Sequence, residues 1–262
     1  MDMNMAFGGK RSAAEHHPLS ELADLYAYMP RKEVFYSINI SWKHKYVYLE
    51  NPKVACGHIK RSLQRLELEG TDVLVRNVHD RLESPLLMVY QVPAEQLLEI
   101  FNGTGFFKFS FVRNPFTRIL SAYLDKILRN QRHKRSVLLA LGRDPHDLEQ
   151  FVSFEEFVRS LARLDPYHMD NHWRPQAQQL FMPRVRYDFV GRFERLDNDL
   201  AKVLGRIAGE APSAVDRDVS YKTDAAAGIS EYYDERIADL VRSVYAEDFR
   251  SFGYPLELPE DA

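Results

Sequence analysis

Hydrophobic and polar positions alternate along Lys45–Glu50 (KYVYLE), a Tyr- and Val-rich run that predicts a strand. Asn51-Pro52 ends it, and Ile59, Leu63 and Leu66 then recur on one face of a predicted helix over Cys56–Glu69. The same order returns later. Phe106–Val112 (FFKFSFV) is a short, largely apolar run suited to a buried strand. Asn114-Pro115 follows as N-cap and first helical residue, and Phe116, Ile119, Leu120, Tyr123 and Ile127 continue at helical spacing. A further strand is predicted over Val185–Phe193, and helices over Phe154–Leu164, Leu196–Ala208 and Ser230–Phe252. Strands alternating with helices imply a parallel sheet covered on both faces, so the expected fold is a three-layer α/β/α domain. Residues 1–30 read as a loose tail followed by a short helix over Pro18–Met29, and residues 31–262 as a single domain.

Composition narrows the partners. Apolar residues make up 45% of the 262, enough for a substantial core, and 28% are charged, which argues against wholesale disorder. A net charge of −3 and a pI near 6.3 argue against a general affinity for nucleic acid, while a local basic site for a small polyanion stays open. No stretch approaches the roughly 20 apolar residues that span a bilayer, and the polar N-terminus lacks the apolar core of a signal peptide. Cys56 is the single cysteine, which rules out an intramolecular disulfide and suits a reducing compartment. A cytoplasmic protein is expected.

Candidate chemistry gathers on the two strand-to-helix loops. In the first, Lys53, Val54, Ala55, Cys56, Gly57, His58 and Ile59 bring an ammonium and helix N-terminal N–H groups together, a natural cradle for phosphate or sulfate. It is not a Walker loop, since GxxxxGK[ST] is absent. Taken alone it is a weak signal and reads more readily as an ordinary turn with a solvated lysine. In the second, Arg113 ends a strand, with Asn114, Arg118 and Ser121 within reach of one helix face. A guanidinium and a hydroxyl converging there can chelate a phosphate, or Arg113 can simply pair with a carboxylate.

Together the loops resemble carbohydrate sulfotransferases of the Golgi type, which act on chondroitin, dermatan and glucuronyl glycans, together with their bacterial relatives. Pro52-Lys53-Val54-Ala55-Cys56 is similar to the family's P-K-V-[GA]-C segment, and Phe111–Tyr123 to its F-V-R-[DN]-P-F-x-R-[IL]-x-S-A-Y motif. Further matches follow in family order through Phe154–Val158, Asn171–Gln176, Tyr187–Glu194, Tyr245–Phe249 and Phe252–Tyr254. The resemblance implies a P-loop-NTPase-like sulfotransferase fold and 3′-phosphoadenosine-5′-phosphosulfate (PAPS) as sulfuryl donor. It places the first loop on the 5′-phosphosulfate and Arg113 and Ser121 on the 3′-phosphate. A hydroxyl-bearing saccharide is the implied acceptor, and no metal is required. Two departures stand out. Gly57 occupies a place where the family usually has Ser or Thr, and Phe181 and Arg184 stand where Golgi members carry two cysteines. The second departure points to a bacterial-style cytoplasmic enzyme. A nucleotide-dependent kinase on a related scaffold, and an inactive protein that keeps the donor pocket, are the alternatives.

Transfer also needs a base to deprotonate the acceptor. His79, between the loops and in a V-H-D setting like that of several relatives, is the first candidate, and His172 before Trp173 the rival. Asp80 need not orient His79, because neighbours on a strand point oppositely, and His58 is a possible sulfate contact. His168 and His172 have i, i+4 spacing that suits zinc, but Met169 stands where a metalloprotease has glutamate and no third ligand is evident. Lys126, Arg129, Arg132, Lys134 and Arg135 form a basic stretch, either a solvated face or a guide for an anion. Tyr221-Lys222-Thr223 is a further candidate contact to the nucleotide.

Overall fold

The computed structural model describes residues 16–209 and 228–260. Tyr221-Lys222-Thr223 lies outside the described residues. Among those described, four strands form one sheet in the order β1 (Ile38–Ser41), β2 (Tyr46–Leu49), β3 (Phe107–Val112) and β4 (Phe189–Arg192). The β2–β3 and β3–β4 pairs are parallel, as expected, whereas β1 is an antiparallel edge. That edge is new. Four residues of Ile-Asn-Ile-Ser, entered directly from helix α1 (Arg31–Ser37), are too short a run to announce a strand.

Strand side chains divide between two cores, which gives the fold its layers. Val47 and Leu49 of β2 join Ile38, Ile40 and Val112 on one face, while Tyr46, Tyr48, Phe109 and Phe111 fill the other. The aromatic face is covered by α2 (Cys56–Glu67), through Ile59 and Leu63, and by a helix at Leu196–Ala208, through Leu200, Val203 and Leu204. Over the opposite face lie α3 (Ala94–Asn102), α4 (Pro115–Ala122), α5 (Arg135–Ala140), α6 (Phe154–Leu161) and the short α7 (Gln176–Gln179). The Leu196–Ala208 helix is α8. Gly191 lets β4 lie close to β3, since a Cβ there would meet the Phe111 ring at 2.3 Å.

Several expected elements are shorter or broken. The Pro18–Met29 helix is a 3-10 segment, Leu22–Ala27, although Leu19, Leu25 and Met29 are buried in the larger core. Of Val185–Phe193, only Phe189–Arg192 pairs as strand. Ser230–Phe252 divides into α9 (Ile229–Tyr232), α10 (Glu235–Val244) and α11 (Ala246–Phe252). The first break falls where Asp234 turns extended and accepts from Ile237 N at 2.7 Å, starting a new helix as N-cap. Beyond α4 the chain widens into a π-helix, Tyr123–Arg129. Such turns are rare, and this one carries Asp125 and Lys126 to the site. No helix among the described residues is long and apolar enough to cross a membrane.

Candidate active site

The first loop is bent by two non-glycine residues in left-handed backbone, Lys53 (φ 71°) and Ala55 (φ 62°). Such conformations cost free energy and collect at functional sites. They turn the chain so that α2 opens at Cys56 and Gly57, whose first-turn N–H groups have no intrahelical acceptor. Val54 and Ile59 belong to the aromatic core, and His58 is buried at the start of α2. The Lys53 ammonium lies 2.8 Å from Asp125 Oδ2, which Lys126 shares at 3.2 Å. Burial pulls the Lys53 pKa below its ordinary value, with Asp125 opposing. Burial would raise the Asp125 carboxyl, but the two lysines hold it below the usual carboxylate range.

At the end of β3, Arg113 is buried, with its guanidinium 4.1 Å from the centre of the Phe193 ring. Its Nε donates to Thr117 Oγ1 at 3.0 Å and its Nη1 to the Lys53 carbonyl at 3.3 Å. Burial lowers its pKa to about 10, against the pull of Glu194. Ser121 continues the 113–117 spacing along α4, and its buried hydroxyl has no hydrogen-bond partner among the described residues. Leaving such a group unsatisfied costs about 1–3 kcal/mol, so Ser121 is suited to meet a ligand. Arg118 does something else. Fully buried, it donates to the carbonyls of Pro52, Arg174 and Asn171 and so clamps the loops. Asn114 caps α4 through Phe116 N at 2.9 Å. Beside it opens a cavity of about 490 Å³ bordered by Arg192, Glu194, Arg195 and Tyr254.

His79 stands over the first loop. A Cβ on Gly57 would lie 3.3 Å from its Nε2, while its Nδ1 is 3.3 Å from the Tyr36 hydroxyl and 3.7 Å from Glu50 Oε1. Asp80 is engaged elsewhere, accepting from Leu82 N. Burial lowers the His79 pKa, Glu50 opposes, and Lys60 and Lys126 reinforce the fall. Glu50 is buried in an ion pair with Lys60, whose ammonium lies 4.6 Å from the Tyr36 ring centre. Burial and Glu50 push the Cys56 thiol up to about 12, which makes it a poor nucleophile. Tyr36 also borders a cavity of about 420 Å³ with Arg31, Phe35 and Tyr90.

Trp173 is buried edge-on against Phe157, while the neighbouring His172 turns to Asp170. Its Nδ1 lies 2.6 Å from Asp170 Oδ1, and His133 Nδ1 lies 2.9 Å from Asp170 Oδ2. His168 belongs instead with the Tyr167 ring, 4.8 Å away. Within the basic stretch, Lys134 is buried and tied to the carbonyls of Leu148 and Gln150.

The family described as "Sulfotransferase family" matches residues 36–255, which contain both loops and every histidine just placed. The chain belongs to the sulfotransferase family. It is 30% identical to carbohydrate sulfotransferase 14 of Danio rerio over 244 residues, 87% of this chain and 65% of the relative. With the Homo sapiens protein of that name it shares 31% over 240 residues, 86% of this chain and 62% of the relative. Carbohydrate sulfotransferase 10 of Xenopus laevis is 28% identical over 254 residues, 85% of this chain and 68% of the relative. The chain thus spans just under two thirds of the length of the first two relatives. No solved structure matches it.

These relatives correct one expectation. The bacterial-style, cytoplasmic reading fails, because the matched proteins are animal carbohydrate sulfotransferases, the Golgi type of the family. The physical reason is local. Phe181, at one of the expected cysteine places, is a core ring packed against Tyr28 at 5.8 Å. Exchanging a bridge for packing reports nothing about compartment.

Several residues of this site have no role that the motifs assign. Glu50 and Tyr36 flank His79, Asp125 holds Lys53, and Gln176 joins the loops. The Gln176 side chain accepts from Asn51 Nδ2 (2.9 Å) and Arg113 N (3.0 Å) and donates to the Arg113 carbonyl (2.9 Å). Its own amide donates to Asp248. Glu194 and Tyr254, drawn from two of the weaker motif segments, meet at 3.0 Å beside Asn114.

Proposed function

We propose that this chain transfers a sulfuryl group from PAPS to a hydroxyl of a carbohydrate. The observation that carries the reading is the joining of a lysine loop to an arginine–serine loop by Arg113 and Gln176, with an unpartnered buried hydroxyl at Ser121. An ammonium at one end and a guanidinium with a hydroxyl at the other suit a donor that carries phosphates at both its 3′ and 5′ positions. Arg113 and Ser121 hold the 3′-phosphate. Lys53 and the α2 N-terminus hold the 5′-phosphosulfate.

In this reading Lys53 exchanges its contact with Asp125 for the bridging oxygen of the donor and stabilises the charge that develops there. His79, kept neutral by burial, accepts the acceptor hydroxyl's proton at Nε2. The acceptor O–S bond forms as the S–O bond to the 5′-phosphate breaks, giving the sulfated saccharide and adenosine 3′,5′-bisphosphate. Glu50 and Tyr36 hold the far side of the imidazole. The cavity beyond Tyr36, with Phe35 and Tyr90 rings and the Arg31 guanidinium, suits a sugar that carries an acidic group. Titration of the chain with adenosine 3′,5′-bisphosphate and with ATP tests the donor site. The account expects the bisphosphate to bind more tightly, and a preference for ATP would favour the kinase reading.

A further inference from the structure

We propose that His133, Asp170 and His172 form a binding site for one divalent transition-metal ion of the zinc class. The ligands come from two separate segments and converge, with one donor atom of each lying within 4.8 Å of the others. Two imidazoles and a carboxylate are the donor set that zinc accepts, with a water completing a tetrahedron.

Both arms are anchored before any ion arrives. His133 ends the 3-10 turn Gln131–His133, and the next residue, Lys134, pins that turn to the carbonyls of Leu148 and Gln150 at 2.8 and 2.9 Å. On the other arm, Asp170 lies in a turn closed by Trp173 N and Arg174 N on its carbonyl. Arg174 donates to Met169 O at 2.6 Å, and Arg118 to Asn171 O at 3.2 Å, both guanidiniums being buried. The rings of His133 and His172 meet edge to face at 5.0 Å, each pulled toward one carboxylate oxygen. The three side chains keep 19–25% of their surface exposed, which leaves an open side for water.

The donor atoms already face one another, each imidazole Nδ1 lying against one oxygen of the Asp170 carboxylate. In a neutral imidazole, ligation at Nδ1 needs only a change of tautomer, with the ring proton moving to Nε2. The Nδ1–O separations of 2.6 and 2.9 Å must open by less than about 1 Å to admit an ion with bonds near 2.0–2.2 Å. Lys126 is the nearby charge that disfavours a cation at His172, and its own pairing with Asp125 offsets it. Arg118 links this centre to the donor site, since it holds both Asn171 and Pro52. An ion here would stiffen the wall behind the first loop without entering the transfer step.

Cobalt(II) titration of the chelator-treated full chain, followed in the visible spectrum and by zinc competition, tests this directly. One equivalent is expected, with a tetrahedral d–d band and no thiolate charge-transfer band. His133→Ala and Asp170→Asn should each weaken binding by about 10–100-fold or more, since even an outer-shell partner costs that much. His168→Ala and Cys56→Ser should leave it unchanged. Circular dichroism checks that each variant is folded, and because the two substitutions lie in different segments, one folded variant suffices. Absence of stoichiometric cobalt binding overturns the proposal. So does binding that survives in a folded His133→Ala or Asp170→Asn chain, or that depends on Cys56, which would place the ion at Glu50, Cys56 and His79. None of these results depends on turnover, so this site and the transferase reading stand or fall separately.

Discussion

The Arg113 guanidinium donates to the backbone carbonyl of Lys53 at 3.3 Å, so the residue assigned to the donor's 3′-phosphate also holds the loop assigned to its sulfonate end. Arg113→Ala is therefore expected to weaken adenosine 3′,5′-bisphosphate much more than adenosine 5′-phosphate. A charge-assisted hydrogen bond contributes roughly 1.5–3 kcal/mol, so the loss should be about tenfold or more. Calorimetry that finds equal losses for both nucleotides would remove Arg113 from that role.

Lys53 should act on rate more than on affinity. Charge on the leaving oxygen peaks in the transition state, so Lys53→Ala should cut kcat at saturating donor while leaving bisphosphate binding comparatively intact. Near-normal kcat in that variant would end the assignment.

The pH profile reports on His79. A base must be neutral, and burial disfavours the imidazolium, so the acid limb of kcat/KM should lie below the ordinary histidine value of 6.5. Activity should fall only as pH drops through that lowered pKa. His79→Ala should lose about 10²–10⁴ in kcat, with the limb abolished. Gly57→Ala should also lower kcat, because the added Cβ crowds Nε2 at 3.3 Å. If His79→Ala stays active with its acid limb intact while His172→Ala is dead, the two histidines exchange roles.

Gln176 makes a prediction about stability. Truncation to alanine leaves the buried N–H and C=O of Arg113 without these partners. At about 1–3 kcal/mol for each unsatisfied group, a total of about 2–6 kcal/mol is expected. Urea denaturation should show it as a lower midpoint at unchanged slope, and an unshifted midpoint would contradict the bracing role.

The strands most legible in the sequence are those buried on both faces. β2 is apolar or aromatic throughout and β3 carries Phe107, Phe109, Phe111 and Val112, whereas the four-residue edge β1 has only two apolar residues. The helix predicted over Ser230–Phe252 keeps its apolar spacing throughout, but Asp234 caps a new helix there, a choice that depends on its φ of −109° and ψ of 174°. The two loops could be read because their chemistry is contiguous in sequence. Partners set by tertiary packing could not. Gln176 meets Asn51 across 125 positions, Asp125 meets Lys53 across 72, and Asp170 meets His133 across 37. Spacing within a helix suggested His168 as the neighbour of His172, and the fold supplies His133 instead.

The central claim is sulfuryl transfer, and turnover tests it most directly. Purified chain should be incubated with PAPS labelled in the sulfonate and with saccharides bearing free hydroxyls, uronic acid-containing glycans among them. The account predicts labelled saccharide and stoichiometric adenosine 3′,5′-bisphosphate, with both lost in Lys53→Ala. Tight bisphosphate binding without transfer to any of these acceptors would contradict it, and would leave a protein that only binds the donor.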